Sequence, residues 1–171
     1  FSISGSALEQ FALHAPEVIE SFKELAKTGS VEFLAETYAH SLASLSDTDE
    51  FERQVQRHAA KMEELFGQKP VTLRNSSLIY SDQIGERVAA MGFESMLTDG
   101  AKHVLGWKSP NFVYTNVMNP RLKLLLKNSR LSDYLTLRFS DHSWHEWPLT
   151  ADKYARWLKD STQDSEIVNL F

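Results

Sequence analysis

Short runs of β-branched and aromatic residues alternate with longer segments whose apolar positions recur at helical spacing, and this alternation constrains the fold more than any other feature of the chain. It is the pattern of βα units built around a parallel sheet. Phe1 to Ser4 reads as the end of a strand. Gly5-Ser6 leads into a helix with Leu8, Phe11 and Ala12 on one face, and Pro16 opens a second helix carrying Val18, Ile19, Phe22 and Leu25, which Gly29 closes. Val31 to Ala35 reads as a buried strand. Asp47-Thr48-Asp49-Glu50 supplies a cap and an acidic first turn for a helix with Phe51, Val55, Ala59, Met62, Leu65 and Phe66 on one face, stopped by Gly67 and Pro70. Val71 to Leu73, Phe93 to Leu97 and the apolar run Leu122 to Leu126 are the next strands. A helix over Ile84 to Met91 separates the first two, and a loop over Ser109 to Pro120 precedes the third. Helices start near Arg130 and over Ala151 to Lys159, and Glu166 to Phe171 looks like the beginning of another strand.

The expected fold is therefore α/β, a single domain over residues 1–171 holding about five or six parallel strands. An eight-stranded barrel typically takes about 250 residues, so at 171 residues the sheet is open or the barrel incomplete. Both ends read as cut. No stretch approaches the roughly 20 apolar residues of a membrane span, and a net charge of -5 with scattered lysines and arginines argues against a nucleic-acid partner. The absence of cysteine removes disulfides, thiolate nucleophiles and the common zinc modules. No signal peptide is visible at the start, which favours the cytoplasm.

In parallel α/β folds functional residues gather where the carboxyl ends of strands meet the following loops. Those positions hold Glu36 and His40, with Glu32 inside the preceding strand; Arg74, Ser77 and Tyr80; Asp99 and Trp107; and Lys127 with Asp133. Carboxylates, aromatics and hydrogen-bonding groups in one place suit a sugar. Each also has a plainer reading. Asp133 can serve a helix N-terminus, Arg74 and Asp99 can form a structural ion pair, Trp107 can be a lid contact, and Glu36 can be solvated. His142 and His145 near Glu146 lack a third ligand in register, so no metal site is expected. Ser77 lacks the glycine-flanked elbow of an esterase nucleophile, and no glycine-rich phosphate loop or other cofactor motif appears.

Six blocks in order, Phe1 to Gln10 (FSISGSALEQ), Val31 to Leu42 (VEFLAETYAHSL), Leu73 to Asp82 (LRNSSLIYSD), Leu105 to Asn111 (LGWKSPN), Leu124 to Phe139 (LLLKNSRLSDYLTLRF) and Trp144 to Tyr154, make the chain resemble glycoside hydrolase family 57, most closely its α-amylase and α-amylase-like members. The resemblance implies a seven-stranded parallel β/α barrel, incomplete in this chain, and retaining chemistry on an α-glucan or maltooligosaccharide. It places the acid/base on Asp133. The nucleophile falls in a block that reads approximately R-N-T-E-L-I-Y in α-amylase members and Arg74-Asn75-Ser76-Ser77-Leu78-Ile79-Tyr80 here, so Ser77 stands at the glutamate position. Glu32, Glu36, His40, Arg74, Tyr80, Asp99 and Trp107 become candidate substrate-binding residues. The family's histidine motif would precede Phe1 and a later block would follow Phe171, so further parts of the same protein are expected at both ends. No cofactor is implied.

Three functions follow from this pattern. The first is an α-glucan-processing hydrolase domain with impaired or lost chemistry, and the second a non-catalytic glucan-binding or regulatory protein. The third is an inverting enzyme that activates water with Asp133 and a second carboxylate, which needs carboxyl groups about 6.5 to 9.5 Å apart.

Overall fold

The computed structural model describes residues 1–171. Its sheet holds β1 (Thr72–Arg74), β2 (Ser95–Thr98), β3 (Val113–Thr115) and β4 (Lys123–Leu126) in the order β1-β2-β4-β3. The first three in that order are parallel, with Leu73, Met96 and Leu124 in register. The outer strand β3 is antiparallel to β4, so the sheet is mixed where an all-parallel one is expected from the sequence. Val113-Tyr114-Thr115 is a β-branched and aromatic triplet inside the stretch read as a loop. The connection 116–122 is much shorter than the dozen or so residues a parallel crossover needs, so the chain can only turn back antiparallel.

Two segments expected as strands reach the sheet through single bridges. Ala35 pairs in parallel with Leu73, and Asn169 with Lys127. The Ala35 segment is bonded on both sides. Its N–H donates to Thr72 O (2.9 Å), while the Leu34 N–H donates to Phe1 O (2.7 Å). Extended backbone from Phe1, Ala35, β1, β2 and β4 therefore lies side by side, carboxyl ends together.

The helices cover one face of this sheet. They are α1 (Gly5–His14), α2 (Pro16–Lys27), α3 (Thr48–Phe66), α4 (Asp82–Ala90) and the short α5 (Lys102–Leu105). Ser4, Asp47 and Ser81 cap α1, α3 and α4 by accepting from backbone N–H groups of the first turn. Gly67 ends α3 in the left-handed conformation. One core joins Leu73, Met96, Leu122, Leu124 and Leu126 to Phe51, Val55, Ile84 and Val88; a second gathers Leu8, Ile19, Phe33, Met62 and Phe66 between α1, α2 and α3. Phe33 and Phe66 stack at 4.1 Å. Burying aromatics of this size supplies about 2 to 3 kcal/mol each before entropy is counted. After β4, α6 (Ser129–Asp133) continues into a π-helical turn over Tyr134–Arg138, and α7 (Ala151–Ser161) follows with no buried residue.

Side chains alternate across a strand. Because Phe33, Ala35, Leu73, Met96, Leu124 and Leu126 face the helices, Glu36, Arg74, Leu97, Leu125 and Lys127 face the other way. This second face carries the candidate site.

Candidate functional site

Glu36 is the centre of a cluster built by three neighbouring segments. Its side chain is 3% exposed, and Oε2 accepts from the Ser2 hydroxyl at 2.8 Å. The Arg74 guanidinium lies 3.6 Å from the same oxygen and His40 Nδ1 3.9 Å from it. Arg74 also reaches the Ser2 hydroxyl at 3.5 Å. The reading of Glu36 as solvated is thus corrected, and so is the Arg74–Asp99 ion pair. Arg74 turns to the carboxylate on the adjacent segment, and Asp99 accepts from the Ser129 hydroxyl at 3.0 Å. A carboxylate with this little exposure must be compensated, and the cation and hydroxyl beside it do so.

His58 holds the cluster from behind, and sequence reasoning missed it. The ring is fully buried; the Glu36 N–H donates to its Nδ1 (3.2 Å), which leaves Nε2 protonated and donating to Ile3 O (2.8 Å). Burial pushes the imidazole below its ordinary pKa, while the Ile3 carbonyl and the Glu36 charge pull weakly the other way. The signal was present: His58 follows Val55 by three and precedes Met62 by four, in the buried stripe of α3.

The loop after β1 is clamped internally. Asn75 donates to the Ser44 hydroxyl and to Ile79 O, both at 2.9 Å, and Ser76 shares a 2.8 Å hydrogen bond with Thr37. Ser77 and Leu78 both lie in the left-handed region, at φ 53 and 57. Side chains other than glycine, asparagine and aspartate visit it at a cost of about 1 kcal/mol or more each, so the clamp holds an unfavourable turn. Ser77 is exposed at its apex and its hydroxyl has no partner in the chain.

Asp133 is the last residue of α6, whose N-cap is Asn128, so the capping role considered for Asp133 is also corrected. Its carboxylate is 45% exposed and accepts from Lys127 Nζ at 3.3 Å. The Tyr80 hydroxyl donates to Asp82 (2.8 Å) and accepts from Asn116 (2.7 Å); burial pushes this phenol up to about 12. Glu32 is exposed and lies four residues before Glu36 along an extended segment, about 13 Å away. Trp107 is 93% exposed and its ring stacks on no other aromatic side chain. The structure thus gathers Glu36, His40 and Arg74, places Asp99 and Asp133 on neighbouring strand ends, and leaves Glu32, Tyr80 and Trp107 outside the cluster.

Across the sheet β1 and β4 are two strand spacings apart, about 10 Å. Ser77 and Asp133 follow those two strands. No group of three or more histidines and carboxylates forms a candidate metal site.

The chain as a whole is similar to known proteins. The chain is 42% identical over 172 residues to "Putative alpha-amylase" of Methanocaldococcus jannaschii, covering 100% of this chain and 36% of that protein. It therefore spans about a third of that relative's length. Among solved structures, the 4-alpha-glucanotransferase from Thermococcus litoralis superposes with TM-score 0.79 at 15% identity, covering 99% of this chain and 26% of that one. The alpha-amylase AmyC from Thermotoga maritima gives 0.59 at 14% identity over 76% of this chain and 26% of its own. These likenesses support the α/β fold alone. The family model named Glycosyl hydrolase family 57 matches residues 1–171, the whole chain, and the chain belongs to that family.

Proposed function

We propose that this domain holds an α-glucan in a cleft on the helix-free face of the sheet and that its hydrolytic chemistry is impaired or lost. The observation that carries the reading is Ser77, exposed and unpartnered on the loop after β1 at the position where the family resemblance expects a glutamate. In a retaining glycosidase one carboxylate attacks the anomeric carbon while another protonates the leaving oxygen, the two carboxyl groups standing about 5 to 5.5 Å apart. Asp133 is assigned the acid/base role. A serine hydroxyl stays protonated near neutral pH without a base and sits two carbons closer to the backbone than a glutamate oxygen, so it cannot replace the attacking carboxylate.

The remaining groups suit binding. Glu36, Arg74 and His40 present acceptor, donor and imidazole together, with geometry fixed by Ser2 and His58. Asp99 and Asp133 offer carboxylates to further hydroxyls. Tyr80, Trp107 and Glu32 belong to a longer glucan site in this proposal, reached only at its margins.

Calorimetry of the full-length protein with maltohexaose tests it. Binding that weakens at least tenfold in Arg74→Met, together with hydrolysis slower by orders of magnitude than that of a glutamate-bearing relative, is the expected result. Absence of any maltohexaose binding overturns it. A non-catalytic glucan-binding protein is the second reading, favoured by the same serine, and it holds if hydrolysis is undetectable while binding persists.

A further inference from the structure

A second cavity lies on the rim of the sheet, where the loop after β2, α5, the stretch leading to β3 and the start of α6 meet. It has a volume of about 470 Å³, and Lys102, Lys108 and Arg130 line it. No aspartate or glutamate does. Each of these cations is free of any carboxylate within 4.0 Å, unlike Lys127 close by, which is held by Asp133. In a chain of net charge -5, three cations with no carboxylate partner around one hollow make it locally more positive than the rest of the surface.

The nearby carboxylates cancel only part of it. Asp99 accepts from the Ser129 hydroxyl and keeps its charge at the edge of the hollow, one carboxylate against three cations; Glu146 is held by Lys153, and Asp160 lines the adjoining cavity without pairing to Arg130.

The floor is preorganised. A Cβ on Gly100 would meet Lys127 O at 2.2 Å, so only glycine permits the loop to close there. Asn111 and Asn128, both buried, are joined at 3.0 Å, and Asn111 donates to Ser161 O at 3.1 Å. The Ser109 oxygen accepts from the Asn111 N–H (3.1 Å), which leaves the hydroxyl proton available to a ligand.

We infer that this cavity binds a phosphate dianion, free or carried as a monoester on a small sugar. Two ammonium groups and a guanidinium fork match a group carrying between one and two negative charges and several acceptor oxygens. A neutral sugar leaves the three charges unanswered. The volume exceeds what inorganic phosphate fills and falls in the range of small-molecule sites. The inference does not rest on the glucan reading: a protein that ignores maltohexaose can still bind phosphate here.

The test is titration of the full-length protein by calorimetry and phosphorus NMR with inorganic phosphate, glucose 1-phosphate and, as neutral control, glucose. The expected result is saturable binding of a phosphate-bearing probe that glucose does not reproduce, weakened by salt, and lowered about tenfold or more in the Lys108→Gln/Arg130→Gln double variant. Lys159→Gln, an exposed change on α7 outside the cavity, leaves it unaltered. Equal affinity for both probes identifies the free anion as the ligand, and tighter binding of glucose 1-phosphate identifies the ester; either supports the site. No binding of either probe up to about 10 mM, or binding indifferent to the double variant, overturns it. The substituted side chains are exposed, and unchanged circular dichroism separates lost binding from lost fold.

Discussion

His58→Leu removes both hydrogen bonds that tie the Glu36 backbone to α3 and to the first segment of the chain. The Glu36 N–H and the Ile3 carbonyl are left without partners at a fully buried ring position. Each orphaned group costs about 1 to 3 kcal/mol, partly offset by the apolar replacement, so a loss of about 2 to 5 kcal/mol is expected in urea unfolding. His58→Asn retains an acceptor near Nδ1, and His58→Gln retains a donor near Nε2; each should fall between wild type and leucine. The ring also sets a pH dependence. Burial holds its folded pKa below the unfolded value near 6.5, so the unfolded state takes up the proton first as pH falls. Stability from this group is complete above about pH 6.5 and declines below it, at up to about 1.4 kcal/mol per pH unit until the folded pKa is reached. The charged and titratable groups around the ring are Glu36 and Tyr38; Glu36 opposes the shift and burial outweighs it. The difference in unfolding free energy between wild type and His58→Gln, followed from pH 7.5 to 5, should therefore narrow on acidification. A constant difference, or a leucine variant within about 0.5 kcal/mol of wild type, refutes the argument.

Arg74→Met strips the buried Glu36 carboxylate of its only guanidinium, at a cost of about 3 kcal/mol. Adding Glu36→Gln should recover part of this, measured as a double-mutant cycle. Gly100→Ala drives a Cβ into the Lys127 carbonyl and should lower stability by about 1 to 3 kcal/mol in thermal unfolding, with no effect meaning the loop relaxes freely. Asp47→Ala removes the N-cap of α3 and should cost about 1 kcal/mol, and Asp47→Asn should restore most of it.

Helices were the legible part of the sequence. Apolar spacing and caps placed α1 to α4 and α7 within a few residues, because the bonds that define a helix are local. The sheet was harder. Val113-Tyr114-Thr115 is too short to read as a strand beside Pro110 and Asn111, and its direction follows from the length of the following connection, which propensity does not encode. Val31 to Ala35 looked like a strand and is extended, yet its ladder is one bridge long. At the site, position was legible and partnership was not. Strand ends pointed to Glu36, Arg74, Asp99 and Asp133, but Arg74 chooses Glu36 over Asp99 because the neighbouring strand is the Ala35 segment. That adjacency is a tertiary fact. Ser2 and His58 escaped notice for the same reason, as residues whose role lies in what they hold.

The most direct measurement is reducing-sugar release from maltohexaose by the full-length protein and its Ser77→Glu variant, with binding measured on both. Bound maltohexaose, wild-type turnover lower by about a million-fold than an intact glutamate nucleophile would allow, and a rise on installing the glutamate are the predicted results. Brisk turnover by wild type that slows in Ser77→Glu would contradict the account.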